Sequence, residues 1–302
     1  ISNKLIATWS TQRAKNVIVD NVDTRSWRGE VYYNGGGSQK VLLKDGSISQ
    51  TNSSSVSGSY DLELVNMVIS DSANAAVESA LFSGMISPFT NTPYNQNHIA
   101  RGCTFRGLDQ SDNGIMKDLP GKKSFGGWLV FNQKGTYQTV TDSSFGDHIR
   151  TAYGPWYESR NAFLYNCQFF DPAPGASAIF YTWTSSKKEY QLQGGMSEIL
   201  WLDNELILSK SLANHQSVFY SQPGGAAKDS ESPWVWEGFH IKNRSEENIK
   251  VNRFWVDTWG LPSGRQDAVF MDFTKDDTVS LDGNYLYNTK AEKIHPQYKN
   301  FF

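Results

Sequence analysis

The chain has 302 residues, of which 20% are charged and 14% aromatic, and 28 Lys and Arg stand against 31 Asp and Glu for a net charge of −3. So low a charge density argues against a helical bundle or a disordered chain, and the lack of a basic excess argues against a nucleic-acid partner. No run of 18 apolar residues is present, so no membrane insertion is expected, and two cysteines, Cys103 and Cys167, are too few for a disulfide framework and lack metal-ligand spacing.

The opening Ile1-Ser2-Asn3-Lys4 carries neither an initiating Met nor an apolar leader, and reads as a fragment or a processed chain. From there helical periodicity is almost absent. What recurs is a short strand of alternating apolar residues, an Asp, Asn or Gly, two further residues and a large apolar residue. A loose first copy, Val17-Ile18-Val19-Asp20-Asn21, precedes Val41-Leu42-Leu43-Lys44-Asp45-Gly46-Ser47-Ile48 and Leu62-Glu63-Leu64-Val65-Asn66-Met67-Val68-Ile69. Further copies end Gly102-Cys103-Thr104-Phe105, Asp142-Ser143-Ser144-Phe145, Asn166-Cys167-Gln168-Phe169 and Asp203-Asn204-Glu205-Leu206. The last two read as Asn252-Arg253-Phe254-Trp255 and Gly283-Asn284-Tyr285-Leu286.

The turn positions 45, 66, 102, 142, 166, 203, 252 and 283 are spaced 21, 36, 40, 24, 37, 49 and 31 residues apart. Steps in the low twenties built from strands and turns predict a solenoid, and longer steps predict lateral insertions near 70–96, 106–137, 146–160, 171–196 and 208–238. The expected fold is all-β, a right-handed parallel β-helix of about nine coils in one domain spanning 1–302, with coils over about 15–290 and a tail at 291–302. Residues one and three after each turn share a face, pairing small with large, which predicts an interior stack. The same register sets Cys103 and Cys167 two coils apart, roughly 10 Å, too far for a disulfide and consistent with buried free thiols.

Chemistry concentrates in the segment from Gly146 to Arg160. His148 offers a base, Arg150 a cation, Tyr153 a phenol and Asp147 and Glu158 two carboxylates, while Trp156 and Tyr157 offer rings for sugar stacking. On a strand, His148 and Arg150 fall on one face, the arrangement that proton abstraction beside a carboxylate requires. The alternative reading is hydrolysis by Asp147 and Glu158, whose separation the Gly-Pro turn between them leaves open. The next insertion adds Tyr181, Trp183 and Lys187, expected as subsites for an anionic glycan, or as a loop covering the scaffold. Asp109, Asp112, Asp118, Asp71 and Glu78 read as loop or flanking carboxylates, Asp276-Asp277 as a turn, and His98 and His240 as scaffold histidines. The stretch Trp234-Val235-Trp236-Glu237 reads as a sugar platform or a lid.

The eight turn units from Asp45 to Gly283, the Ser, Asn, Gly and aromatic-rich composition and the long insertions resemble those of parallel β-helix proteins that act on polysaccharides, over roughly 40–290. The chain is most similar to phage tailspike or tail-fibre depolymerases and to secreted polysaccharide lyases. His148-Ile149-Arg150, followed by Tyr165-Asn166-Cys167 on the next coil, is similar to the strand ends of β-helix uronate lyases, which implies elimination with His148 and Arg150 in the site. The resemblance implies a polysaccharide substrate, a homotrimer and an extracellular or virion-associated location. No cofactor and no metal is expected, since the acidic calcium cluster of such lyases has no clear counterpart here. A non-catalytic glycan-binding adhesin and a structural spike are the alternatives on the same scaffold.

Overall fold

Alternating apolar residues followed by a short Asp, Asn or Gly make a strand that ends in a left-handed bend, and the backbone repeats this unit rung after rung. The computed structural model describes residues 7–10, 15–25, 30–33, 39–49, 56–57, 60–70, 75–79, 96–107, 128–133, 136–147, 151–156, 162–173, 178–183, 199–213, 216–222, 231–257, 266–280 and 283–288. Among these every regular element is a strand.

The first rung consists of β1 (Ala7–Ser10), β2 (Lys15–Asp20) and β3 (Asp23–Arg25). Rung two holds β4 (Glu30–Tyr33), β5 (Gln39–Lys44) and β6 (Ser47–Ser49). Rung three holds β7 (Val56–Ser57), β8 (Tyr60–Val65) and β9 (Val68–Ile69). In rung four come β10 (Ala75–Ser79), β11 (Gln96–Arg101) and β12 (Thr104–Arg106). In rung five come β13 (Trp128–Gln133), β14 (Thr136–Thr141) and β15 (Ser144–Gly146). Rung six is β16 (Thr151–Trp156), β17 (Ala162–Tyr165) and β18 (Gln168–Phe170). Rung seven is β19 (Ala178–Trp183), β20 (Ile199–Leu202) and β21 (Glu205–Leu208). Rung eight is β22 (Ser217–Gln222), β23 (Glu231–Glu237) and β24 (His240–Asn243). The chain ends its described course with β25 (Ile249–Asp257), β26 (Gln266–Phe273), β27 (Thr278–Ser280) and β28 (Gly283–Asn288).

The first strand of each rung stacks into sheet A, the second into sheet B and the third into sheet C, with ten, nine and nine strands. Eight times the chain visits the sheets in the order A, B, C, and neighbouring rungs pair parallel throughout. This path is compatible with a parallel β-helix. It then reverses: β26 pairs antiparallel with β25, β27 with β24 and β28 with β23. The predicted repeats at Asn252 and Gly283 are therefore not repeats. Asn252 lies inside β25 at a register shift, and Gly283 opens an antiparallel strand. Their spacing imitated the unit because β25 and β28 carry the same alternation without the bend.

Fully buried Asn243 pins this reversal. Its side-chain amide donates to the carbonyls of Thr274 at 2.7 Å and Glu247 at 3.0 Å, its side-chain oxygen accepts from Ser245 N at 2.8 Å, and its own N–H donates to Asp277 O at 2.9 Å. The expected turn at Asp276-Asp277 is the bend between β26 and β27, with Asp276 in the left-handed region at φ 59°. The segment 291–302 lies outside the described residues.

The bend between sheets B and C sits at Asn21, Asp45, Asn66, Gly102, Asp142, Asn166, Asp203 and Gly238, all at positive φ between 51° and 65°. Gly238 is a turn the sequence pattern did not single out. Backbone pairing continues through the bend, with Asn66 N donating to Arg101 O, Gly102 N to Thr141 O and Asp142 N to Tyr165 O. Side chains form a second ladder outside it: Asn66 donates to Asp45 Oδ1 at 2.9 Å and Asn166 to Asp142 Oδ1 at 2.7 Å. That ladder explains the two glycines. A Cβ at 102 would lie 2.6 Å from Asn66 Oδ1, and one at 238 would collide with Asp203 Oδ1, on a backbone that already disfavours a side chain.

Inside the bend, the expected small-and-large stack is present. Met67/Ile69, Cys103/Phe105, Ser143/Phe145 and Cys167/Phe169 are all buried. Phe145 stacks on Phe105 at 5.0 Å and on Phe169 at 4.8 Å, and Phe180 of sheet A meets Phe169 edge-on at 4.6 Å. Both cysteines are buried and free, with burial pushing Cys103 up to about 11 and Cys167 to about 12. One buried cluster thus draws on all three sheets, with Leu43 and Leu64 from sheet B, Phe105 and Leu206 from sheet C and Ile179 and Phe180 from sheet A.

The five stretches read as insertions each contain a sheet A strand, namely β10, β13, β16, β19 and β22. They are the third side of the rung, hidden from the repeat count because the links into and out of sheet A both change length from rung to rung. Trp234 to Glu237 belong to β23 and pair with β20, and Trp234 to Trp236 also pair with β28 on the other side. His98 and His240 occupy strand positions as expected. No helix among the described residues is long and apolar enough to cross a membrane.

Candidate functional site

Sheet A is where the predicted aromatics come together. Tyr153 and Trp156 belong to β16, and Tyr181 and Trp183 to its neighbour β19. The pairing register sets Trp156 directly opposite Trp183, and Tyr153 opposite Phe180. One strand further, Tyr181 pairs with Tyr220, and Tyr220 with Trp255 of β25. Two adjacent columns of aromatic positions therefore run along the stack, Trp156–Trp183 and Tyr181–Tyr220–Trp255, with each step equal to the strand spacing of about 4.8 Å. Tyr220 and Trp255 were not singled out from the sequence, because counting from the turns does not align them; only the pairing does.

Along a strand, residues three apart belong to opposite pleats. Tyr153 shares its register position with Phe180, which is buried against Phe169 and Phe239. Trp156 and Trp183 hold the alternate set, to which buried Ile179 of β19 also belongs. His148, Arg150, Tyr157, Glu158 and Lys187 lie outside the described residues.

Asp147 is described. It follows β15 in a left-handed turn at φ 53°, and its N–H donates to Asp171 O at 3.1 Å. Its side chain is 70% exposed and its Oδ2 stands 3.7 Å from Arg106 Nη1, too far for a hydrogen bond. Arg106 in turn is held by its neighbours in the stack. Arg106 pairs in register with Gly146, and its guanidinium carbon lies 5.5 Å from the centre of the Phe170 ring, two rungs on. Further along, Asp171 accepts from Ser209 N at 2.9 Å and from the Ser209 hydroxyl.

The outer side of sheet C carries a polar row. The Ser144 hydroxyl donates to Thr104 Oγ1 at 3.3 Å, Gln168 donates to Glu205 Oε2 at 3.4 Å, and Glu205 forms an ion pair with Lys242. The Lys242 ammonium, donating to Glu205, holds that carboxyl below its ordinary range. A carboxylate so engaged fastens rung seven to rung eight and is a poor general acid near neutrality. Among the described residues no three His, Cys, Asp or Glu side chains converge as metal ligands would.

Set beside protein-family models, curated proteins and solved structures, the chain matches none of them. The functional reading therefore rests on the residues alone.

Proposed function

We propose that the chain is a right-handed parallel β-helix that binds an anionic bacterial polysaccharide along sheet A and cleaves it by β-elimination. The observation that carries this reading is the register of Trp156 on Trp183 beside Tyr181, Tyr220 and Trp255. Flat aromatic groups repeated at one strand spacing suit a ligand that is itself a repeat of flat apolar faces, as an extended glycan is. Tyr157 and Lys187, flanking these strands in sequence, complete the proposed subsites.

In the elimination, a base removes the proton on the carbon next to the uronate carboxylate. The electron pair left behind forms a double bond to the adjacent ring carbon, and the bond from that carbon to the glycosidic oxygen breaks, with a proton supplied to the leaving hydroxyl. Arg150 is assigned to the carboxylate, where it stabilises the developing charge. The proposed base is His148 or Tyr153. His148 is the simpler base, since Tyr153 would need Arg150 beside it to lower its pKa. An ordinary His titrates near ~6.5 and serves near neutrality without help.

A second reading, hydrolysis by Asp147 and Glu158, is favoured by one observation: Asp147 is exposed and no hydrogen bond engages its carboxylate among the described residues. With either chemistry the reading carries a homotrimeric, extracellular or virion-associated protein.

The test is substitution of Trp156 and Trp183 by Ala, singly and together. Loss of a stacking ring costs on the order of 1 kcal/mol beyond lost area, so each variant should bind the cognate glycan roughly fivefold to tenfold more weakly while its unfolding midpoint stays put. Unchanged affinity in the double variant removes sheet A from the site.

A further inference from the structure

We infer that Arg106 reads the carboxylate of the glycan, an assignment that rests on the proposed function and adds a residue outside the Gly146 to Arg160 segment. Arg106 ends β12, at the corner where sheet C gives way to the link leading to sheet A. Three features fix its head group in place. The guanidinium packs against the Phe170 ring at 5.5 Å. It lies over Gly146, where any Cβ would collide with Arg106 Nη1, so the glycine is the clearance the arginine needs. The Asp147 carboxylate stands 3.7 Å away and orients it without consuming a hydrogen bond.

No acceptor for the guanidinium hydrogen bonds is found among the described residues, and the side chain is 43% exposed. An arginine whose stem and plane are already ordered offers its planar fork to an anion with little further loss of rotamer freedom. A carboxylate fits that fork in two parallel hydrogen bonds. Asp147 is then a competitor for the same cation. A neutral glycan offers this group only uncharged hydroxyl oxygens, so the corner favours a carboxylate-bearing sugar.

The experiment is titration of the folded chain with oligogalacturonate and oligoglucuronate and with the same oligomers after carboxyl reduction, for the wild type, Arg106→Met, Arg106→Lys and Asp147→Asn. A charge-assisted bidentate contact predicts that the wild type prefers an acidic form by about tenfold to a hundredfold and that Arg106→Met loses most of this preference, keeping only the share that Arg150 supplies. Arg106→Lys retains charge without the fork and should keep only part of it. Asp147→Asn should bind the acidic form more tightly than the wild type, which a merely structural ion pair would not produce. Retention of the full preference in Arg106→Met overturns the assignment and leaves the glycan reading intact. No binding of either form by the wild type overturns both. Should Arg106→Met fail to fold, phenylglyoxal labelling of the wild type decides: protection of Arg106 by galacturonate and not by galactose supports the assignment, and equal labelling in both contradicts it.

Discussion

Phe145→Ala should cost about 3–5 kcal/mol, the range for deleting a fully buried phenyl ring from a core that collapses only in part. Phe145 has no exposed surface and is the middle ring of three, with Phe105 at 5.0 Å on one side and Phe169 at 4.8 Å on the other. The column it belongs to is Ile48, Ile69, Phe105, Phe145, Phe169, Leu206 and Ile241, one residue per rung. Because rungs stack one on another, a cavity at Phe145 removes contact from both neighbours at once, and neither can move without breaking the backbone pairing. Phe145→Leu should cost only about 1–2 kcal/mol, since Leu206 fills the same position two rungs on. Urea unfolding followed by circular dichroism measures both. An unfolding free energy of Phe145→Ala within about 1 kcal/mol of the wild type contradicts the stacked core.

Asn204→Leu should cost about 2–4 kcal/mol for a different reason. Asn204 is 1% exposed, its side-chain oxygen accepts from Cys167 N at 2.9 Å, and its amide donates to Leu164 O at 3.1 Å. Leucine has the same branching but is larger, and it takes away the acceptor of the buried Cys167 N–H, an orphan that costs about 1–3 kcal/mol, with overpacking adding to it. Ser143 performs the same service earlier in the stack, accepting from Cys103 N at 3.1 Å and donating to Thr141 O at 2.8 Å. Asn204→Ser should therefore recover part of the loss. Amide hydrogen exchange at Cys167 is the local readout: faster exchange in Asn204→Leu is expected, and an unchanged rate would contradict the role assigned to Asn204.

The fold was legible in the sequence where one residue type answers one backbone demand. Asp45, Asn66, Asp142, Asn166 and Asp203 announce the bend because a short polar side chain tolerates positive φ, and Asn66 bonds to Asp45 and Asn166 to Asp142 along the ladder. Gly102 also announces it, and Gly238 does the same work but follows Trp236-Glu237, an unusual lead-in, and was passed over. Sheet A was illegible for a physical reason. No fixed bend precedes it, its strands begin at varying distances from the turn, and Thr151 to Trp156 contain a Gly-Pro pair that reads as a loop. The aromatic columns inherit this: Trp156, Tyr181 and Trp183 were visible as residue types, whereas their alignment with each other and with Tyr220 and Trp255 exists only in the pairing. Arg106 was missed because its meaning lies in Gly146 and Phe170, which are remote in sequence and adjacent in the stack. The reversed strands β26 to β28 carry ordinary alternation, which says nothing of direction.

Product chemistry tests the central claim most directly. The wild type is incubated with a uronate-containing bacterial polysaccharide in oxygen-labelled water, and the new chain ends are read by ultraviolet absorbance and mass spectrometry. Elimination predicts an unsaturated uronate at each new non-reducing end and no labelled oxygen at the cleaved bond. Saturated ends carrying the label would show hydrolysis and contradict the assignment of His148 and Arg150, and intact polysaccharide that the protein still binds would contradict cleavage altogether.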